Sequence, residues 1–207
     1  MGFEYLKNSD DSHPCVDYVD SLNCKSYSPD QVKHILNNNN FSLLHLNTRS
    51  LQKHHNDLVS LMTITDHGFD VVGCSETWLN ERSHIESLSI EGYRLINKNR
   101  SDTIGGGVCF YVRSKLNARV CEDLNIDDGL SDSLFIEIKT SNTKKYVIGV
   151  VYRPPDSDFN LFRLKLEELL FNLNSNKNKC IILGDFNIDI AKNERVKDYF
   201  NTLHTYR

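Results

Sequence analysis

The chain has 207 residues, a net charge of −4, and hydrophobic and charged shares of 39% and 25%; these proportions suit one globular domain, with or without an extension. No apolar run approaches the roughly 18 residues of a membrane span, and Met1-Gly2-Phe3-Glu4-Tyr5 lacks the basic flank and apolar stretch of a secretory signal; an intracellular protein, cytoplasmic or nuclear and without a membrane partner, is expected. The six cysteines form no Cys-x-x-Cys and no zinc spacing, and with no basic excess any nucleic acid must be met by a local patch.

Residues 1–40 carry most of the net negative charge and end in the tract Asn37-Asn38-Asn39-Asn40. They supply little apolar surface against the roughly 1–2 kcal/mol per residue that ordering a backbone costs. A mostly disordered leader is expected, with one short helix from Pro29 to Leu36. Ser28 would be its N-cap, Pro29 its first helical residue and Gln31 its capping-box partner. Residues 41–207 then form the domain.

Within the domain, Phe41–His45 reads as a strand and is followed by Leu46-Asn47-Thr48-Arg49. Residues 50–63 carry Leu51, His54, Leu58, Leu61 and Met62 at helical spacing. Phe69–Cys74 is an apolar strand leading into Ser75-Glu76-Thr77-Trp78. Gly105-Gly106-Gly107 launches a strand to Arg113. It is no nucleotide loop, because no helix and no Lys-Ser/Thr follow. Strands at 133–139 and 146–152 are joined by a turn around Ser141-Asn142-Thr143, and the second ends in Tyr152-Arg153-Pro154-Pro155. Residues 159–173 place Phe159, Phe162, Leu166, Leu169, Leu170 and Leu173 on one helical face. The strand 180–183 ends in Gly184-Asp185-Phe186-Asn187. A last helix is expected between Asn193 and Leu203, with Val196, Tyr199 and Phe200 inward. Helices between some strands and adjacent strands elsewhere predict a mixed α/β (α+β) sheet system.

Four strands thus end in polar groups, and strand-end loops are where a rigid scaffold displays chemistry. Glu76 is the leading metal-ligand candidate, since Mg²⁺ is held by one or two carboxylates and keeps several waters. Asp185 is the candidate for orienting or deprotonating water. Asn187 shares its side if the segment stays extended, with an Asx-turn as the ordinary alternative. Asn47 and Arg49 would likewise face one way, the amide toward a metal or phosphate and the guanidinium toward a phosphate. Tyr152 can donate to a phosphate oxygen or serve as a core tyrosine. Arg49, Arg153 and Arg100 are the candidate phosphate or DNA contacts, with solvated charge as the alternative for Arg100. The set suits hydrolysis of a phosphate ester by a divalent metal, and Asn47, Glu76, Tyr152, Asp185 and Asn187 are expected to converge at one end of the sheets.

Taken in order, Leu46-Asn47-Thr48-Arg49-Ser50-Leu51, Ser75-Glu76-Thr77-Trp78, Gly105-Gly106-Gly107-Val108, Tyr152-Arg153-Pro154-Pro155 and Gly184-Asp185-Phe186-Asn187-Ile188-Asp189 resemble the endonuclease/exonuclease/phosphatase superfamily. The wording is most similar to the apurinic-type endonuclease domain of non-LTR retrotransposons, over about residues 20–207. The resemblance implies two packed mixed β-sheets flanked by helices, a four-layer sandwich. It also implies Mg²⁺- or Mn²⁺-dependent cutting of a DNA strand. Asn47 and Glu76 would serve the metal side, Tyr152 and Asn187 the phosphate or nucleophile, and Asp185 the water. The family's late Ser-Asp-His motif does not occur before Arg207, which predicts a C-terminally incomplete domain without its last strands and weak or no activity. Two alternatives stay open. One is a non-catalytic remnant that binds metal or nucleic acid; the other is a phosphatase or different nuclease of the same superfamily.

Overall fold

A computed structural model describes residues 27–36, 41–66, 68–98, 105–126, 128–139, 145–175, 179–189 and 196–206. In chain order these form α1 (Pro29–Leu36), β1 (Leu43–Asn47), α2 (Leu51–Ile64), β2 (Val71–Ser75), a 3₁₀ turn (Ile85–Leu88), β3 (Tyr93–Lys98), β4 (Val108–Arg113), β5 (Asn117–Val120), β6 (Asp132–Lys139), β7 (Lys145–Tyr152), α3 (Phe159–Ser175), β8 (Lys179–Asp185) and α4 (Val196–Thr205). The turn expected at Ser141–Thr143 and residues 1–26 lie outside the described residues. None of the described helices is long and apolar enough to cross a membrane.

The strands form two four-stranded sheets, ordered β1-β2-β4-β3 and β5-β6-β7-β8. Each is mixed: β1 runs parallel to β2 and β7 parallel to β8, while the other pairs are antiparallel. The period-2 alternation of strands sorts their side chains into layers. Val71, Phe110, Val112, Leu134, Ile136, Ile148 and Val150 form the core between the sheets. Val72, Cys74, Cys109 and Tyr111 turn the other way and bury Leu51, Leu58 and Met62 of α2. On the far side, Phe135, Val147 and Val151 meet Phe162, Leu166, Leu169 and Leu173 of α3 and Tyr199 of α4. Helix, sheet, sheet, helix is the four-layer order expected.

The short helix α1 starts as its residues dictate. Ser28 N–H donates to Gln31 Oε1 at 2.8 Å and Gln31 N–H to Ser28 Oγ at 3.4 Å, a reciprocal capping box. Val32 and Leu36 then lean on the outer core beside α2. Two strands escaped the sequence reading. Strands β3 and β5 are sheet edges, with Arg94, Asn97, Lys98, Asn117 and Arg119 breaking their apolar pattern. Arg94 earns its place by donating to the Ala118 carbonyl at 2.6 Å, which ties the two sheets together at that edge.

Candidate active site

The ladders end in two facing rows. In one sheet Asn47 pairs with Ser75, Ser75 with Val108 and Val108 with Lys98. In the other, Asp132 pairs with Tyr152 and Tyr152 with Asp185. Alternation from the inner-core residues Leu43, Ile96, Leu134, Val150 and Leu183 puts Asn47, Lys98, Asp132, Tyr152 and Asp185 on the inner face. The apolar core between the sheets is therefore capped at one end by polar groups.

Three of these groups meet directly. Asn47 Nδ2 donates to Glu76 Oε1 at 2.7 Å and to Asp185 Oδ2 at 2.6 Å. Glu76 arrives from the turn after β2, where its φ of 50° breaks the strand. Its carbonyl accepts from Ser50 N–H at 2.9 Å and from the Thr48 hydroxyl at 3.2 Å, so the turn is laced to the loop that opens α2. Thr77 and Trp78 N–H donate to the Gly107 and Gly106 carbonyls, and Gly107 N–H donates to Asp132 Oδ2 at 2.8 Å. Gly107 has φ 82°, and a Cβ there would lie 2.5 Å from Thr77 Oγ1; the triplet's role is this close approach. Asp132, which sequence reasoning missed, fixes the loop. Its only signal was a carboxylate opening an alternating strand.

Several expected roles change. Asn47 reaches the carboxylates through its N–H groups, while its Oδ1 accepts from Arg49 N–H at 3.2 Å. In this arrangement Glu76 and Asp185 bring carboxylate oxygens to one point, where the Asn47 amide donates to both. The segment after β1 is not extended, since Arg49 has φ 42°, so Arg49 does not share the direction of Asn47. Its side chain is exposed at the rim. Asn187 has φ 48°, and its N–H closes an Asx-turn on Asp185 Oδ1 at 3.2 Å. Its Nδ2 donates to the Arg153 carbonyl at 2.8 Å, so the amide is used in the loop. Tyr152 is buried among the inner-core residues, on the ladder between Asp132 and Asp185.

Arg153, expected as a phosphate or DNA contact, is turned inward. It is 4% exposed. Its Nη1 donates to the Phe186 and Asn187 carbonyls at 3.2 and 3.1 Å and its Nη2 to the Ser157 carbonyl at 2.6 Å. The guanidinium also lies over the rings of Phe159 and Phe162. It is a strut that shapes the Asp185–Asn187 loop, spent on backbone rather than on a phosphate. Arg100 lies outside the described residues.

His45 also went unmarked, for lack of a partner nearby in sequence. It sits on the inner face two residues before Asn47, with Nε2 3.2 Å from Ser75 Oγ. Burial lowers its pKa, and the charge of Asp185 opposes that shift. A cation would find two carboxylates from different sheets here. No group of three His, Cys, Asp or Glu that could hold a metal occurs among the described residues, but the pair fits a hydrated Mg²⁺, which needs no more.

The chain matches the model of the Endonuclease/Exonuclease/phosphatase family over residues 23–205, and it belongs to that family. No curated protein matches it. Among solved structures it is similar to the endonuclease domain of TRAS1, a telomere-specific non-LTR retrotransposon, at 12% identity and a TM-score of 0.60, covering 81% of this chain and 71% of that one. It is similar to the Neisseria 3′ phosphatase NExo bound to a product DNA hairpin, at 18% identity and 0.56 over 81% and 71%. An AP endonuclease from Archaeoglobus fulgidus stands at 14% and 0.56 over 80% and 70%. At these identities the likeness shows the fold.

Proposed function

We propose that this domain is a divalent-metal-dependent phosphodiesterase of endonuclease type that nicks a DNA strand, as in retrotransposition. The observation that carries the reading is the meeting of Glu76 and Asp185, from two different sheets, on one Asn47 amide. Two carboxylates held together at a solvent-open sheet end are costly unless a cation or donors compensate them. Family membership and the likeness to a retrotransposon endonuclease domain and to a 3′ phosphatase bound to product DNA support the substrate class.

Glu76 and Asp185 would hold the metal, which when bound supplies charge stabilisation to a phosphate and acidifies water. The remaining work falls to the chain's own groups. Asn47 fixes the separation of the carboxylates. Asp185, oriented by Asn187 N–H, holds the water or takes its proton. Tyr152 offers a phenol from the inner row beside it, and Arg49 a rim cation for a neighbouring phosphate.

The test is conversion of supercoiled plasmid to open circle with Mg²⁺, with Mn²⁺ and with EDTA. Weak nicking in either metal, abolished by EDTA and by Glu76→Gln, is expected. Hydrolysis of small phosphomonoesters without nicking would move the chain to the phosphatases of its superfamily. Metal or DNA binding with no turnover of either substrate would make it a non-catalytic binding domain.

A further inference from the structure

Trp78 is the chain's single tryptophan, and the residue is 43% exposed. Its backbone is the opposite of loose. Trp78 has φ 56°, a region that costs a bulky L-residue on the order of 1 kcal/mol or more. The conformation is held by its N–H on the Gly106 carbonyl at 2.8 Å. The preceding Thr77 is 1% exposed and is pinned through its own N–H on Gly107. Glu76 before it is also left-handed, at φ 50°. One rigid turn thus sends a carboxylate to Asn47 and, two residues on, an indole into solvent. Gly105 leaves the ring's flank bare: a Cβ there would come 3.8 Å from the indole Nε1.

Single exposed apolar residues are common on protein surfaces. A strained, firmly held turn that presents a large flat ring beside a carboxylate site is a different arrangement, because the residue it has positioned stays 43% exposed. Base–aromatic stacking is tolerant of sequence and suits a ring with one free face. A small phosphate ester would have no use for it.

We infer that Trp78 is the surface on which the nucleic-acid substrate rests a base or sugar ring next to the phosphate held at Glu76, which makes it the residue that selects a polynucleotide over a small phosphoester. This rests on the function proposed above. The indole N–H is turned toward the glycine loop, where it can meet a base edge or phosphate oxygen arriving over that loop.

The tryptophan itself reports the contact. The native chain is titrated with a short duplex oligonucleotide carrying a single-stranded overhang in Mg²⁺ while its emission is followed, and binding is measured separately by anisotropy of a labelled copy. Quenching that saturates with binding is expected, as is its absence with inorganic polyphosphate, which has charge without rings. Trp78→Ala is expected to bind the duplex about ten-fold more weakly, with Trp78→Phe recovering most of the loss. Binding by anisotropy with unchanged emission, or equal affinity for a folded Trp78→Ala, overturns the inference and leaves the proposed function standing. No binding of labelled duplex by the native chain defeats the nucleic-acid reading, and this inference with it.

Discussion

Asn47 and Asp185 stand 138 residues apart in sequence, and their side chains meet at 2.6 Å across the gap between the two sheets. The contact exists because β1 and β8 each end on the inner face at the same end of the sandwich. Glu76 closes the group through the same amide at 2.7 Å. The site is therefore a property of sheet packing and not of any one loop.

Asn47→Ala removes both bonds at once and leaves two carboxylates facing each other. Charge-assisted hydrogen bonds of this kind contribute about 1.5–3 kcal/mol each in protected settings and less where solvent reaches. The expected outcome is a loss of nicking by about two decades, of the order found when one positioned donor is removed from an active site. Melting temperature should fall in metal-free buffer and recover partly with added Mg²⁺, since a cation can take over the role of the amide. Equal melting with and without Mg²⁺ would show that the two carboxylates do not share a cation.

Arg153→Lys tests the strut. A lysine keeps the charge but loses the fork that reaches the Phe186, Asn187 and Ser157 carbonyls. Burial works against the charge at this position, and the carboxylates of Asp128 and Asp158 work for it. Destabilisation of about 2–4 kcal/mol is expected from stranded carbonyls and lost ring contacts. Denaturant unfolding measures it. The apparent affinity for labelled duplex should change little at temperatures where the variant is folded. A selective loss of DNA affinity with unchanged stability would return Arg153 to the phosphate-binding role.

The sequence made the framework legible wherever periodicity was strong. The helix face of Phe162, Leu166, Leu169 and Leu173, the apolar strands before Glu76 and Asp185, and the Ser28–Gln31 cap all stand where their pattern places them. Edge strands β3 and β5 were hidden because one-sided pairing tolerates polar residues. The roles of Asn187 and Arg153 were hidden for another reason. Periodicity does not choose between an extended segment and an Asx-turn at Asn187, where φ is positive, and an arginine beside a site reads as a phosphate contact, while the Arg153 Nη groups donate to backbone carbonyls. Asp132 and His45 gained significance only from partners on other strands, Gly107 and Ser75.

Alkaline pH should unfold the domain earlier than its surface charge implies. Burial, with a smaller contribution from Cys121, pushes the Cys180 thiol up to about 12 from its ordinary 9.0, and burial pushes the Tyr199 phenol up to about 12 from 10.0. Both groups lose their proton more readily in the unfolded chain. The stability they preserve is intact below about pH 9 and is lost as pH rises toward about 12, at about 1.4 kcal/mol per pH unit for each group. Cys180→Val, close in volume, is expected to flatten the slope by about one proton above pH 9 while changing neutral stability by about 1 kcal/mol or less. Denaturant melts across this range measure both; an unchanged slope in the variant would show that the thiol ionises equally in both states.

Gly184 and Gly92 provide a matched pair of alanine substitutions. A Cβ on Gly184 would fall 2.0 Å from the Val151 carbonyl oxygen and 2.9 Å from its carbon. These are backbone atoms of the strand to which Gly184 is paired, so relief requires parting β7 from β8. The next pair along that ladder is Tyr152 with Asp185, so the same movement would carry Asp185 away from Asn47. A Cβ on Gly92 meets nothing within 4 Å, and only its φ of 81° opposes substitution. Gly92→Ala is expected to cost about 1 kcal/mol, the usual strain of an L-residue in the left-handed region. Gly184→Ala should cost upward of about 3 kcal/mol, in the range of core overpacking and beyond, and should abolish nicking in whatever fraction remains folded. Expression, thermal melts and plasmid nicking of the two variants side by side check this. Equal losses in both would mean that β8 can shift without disturbing the site, and that the close approach of Gly184 to Val151 does not set the position of Asp185.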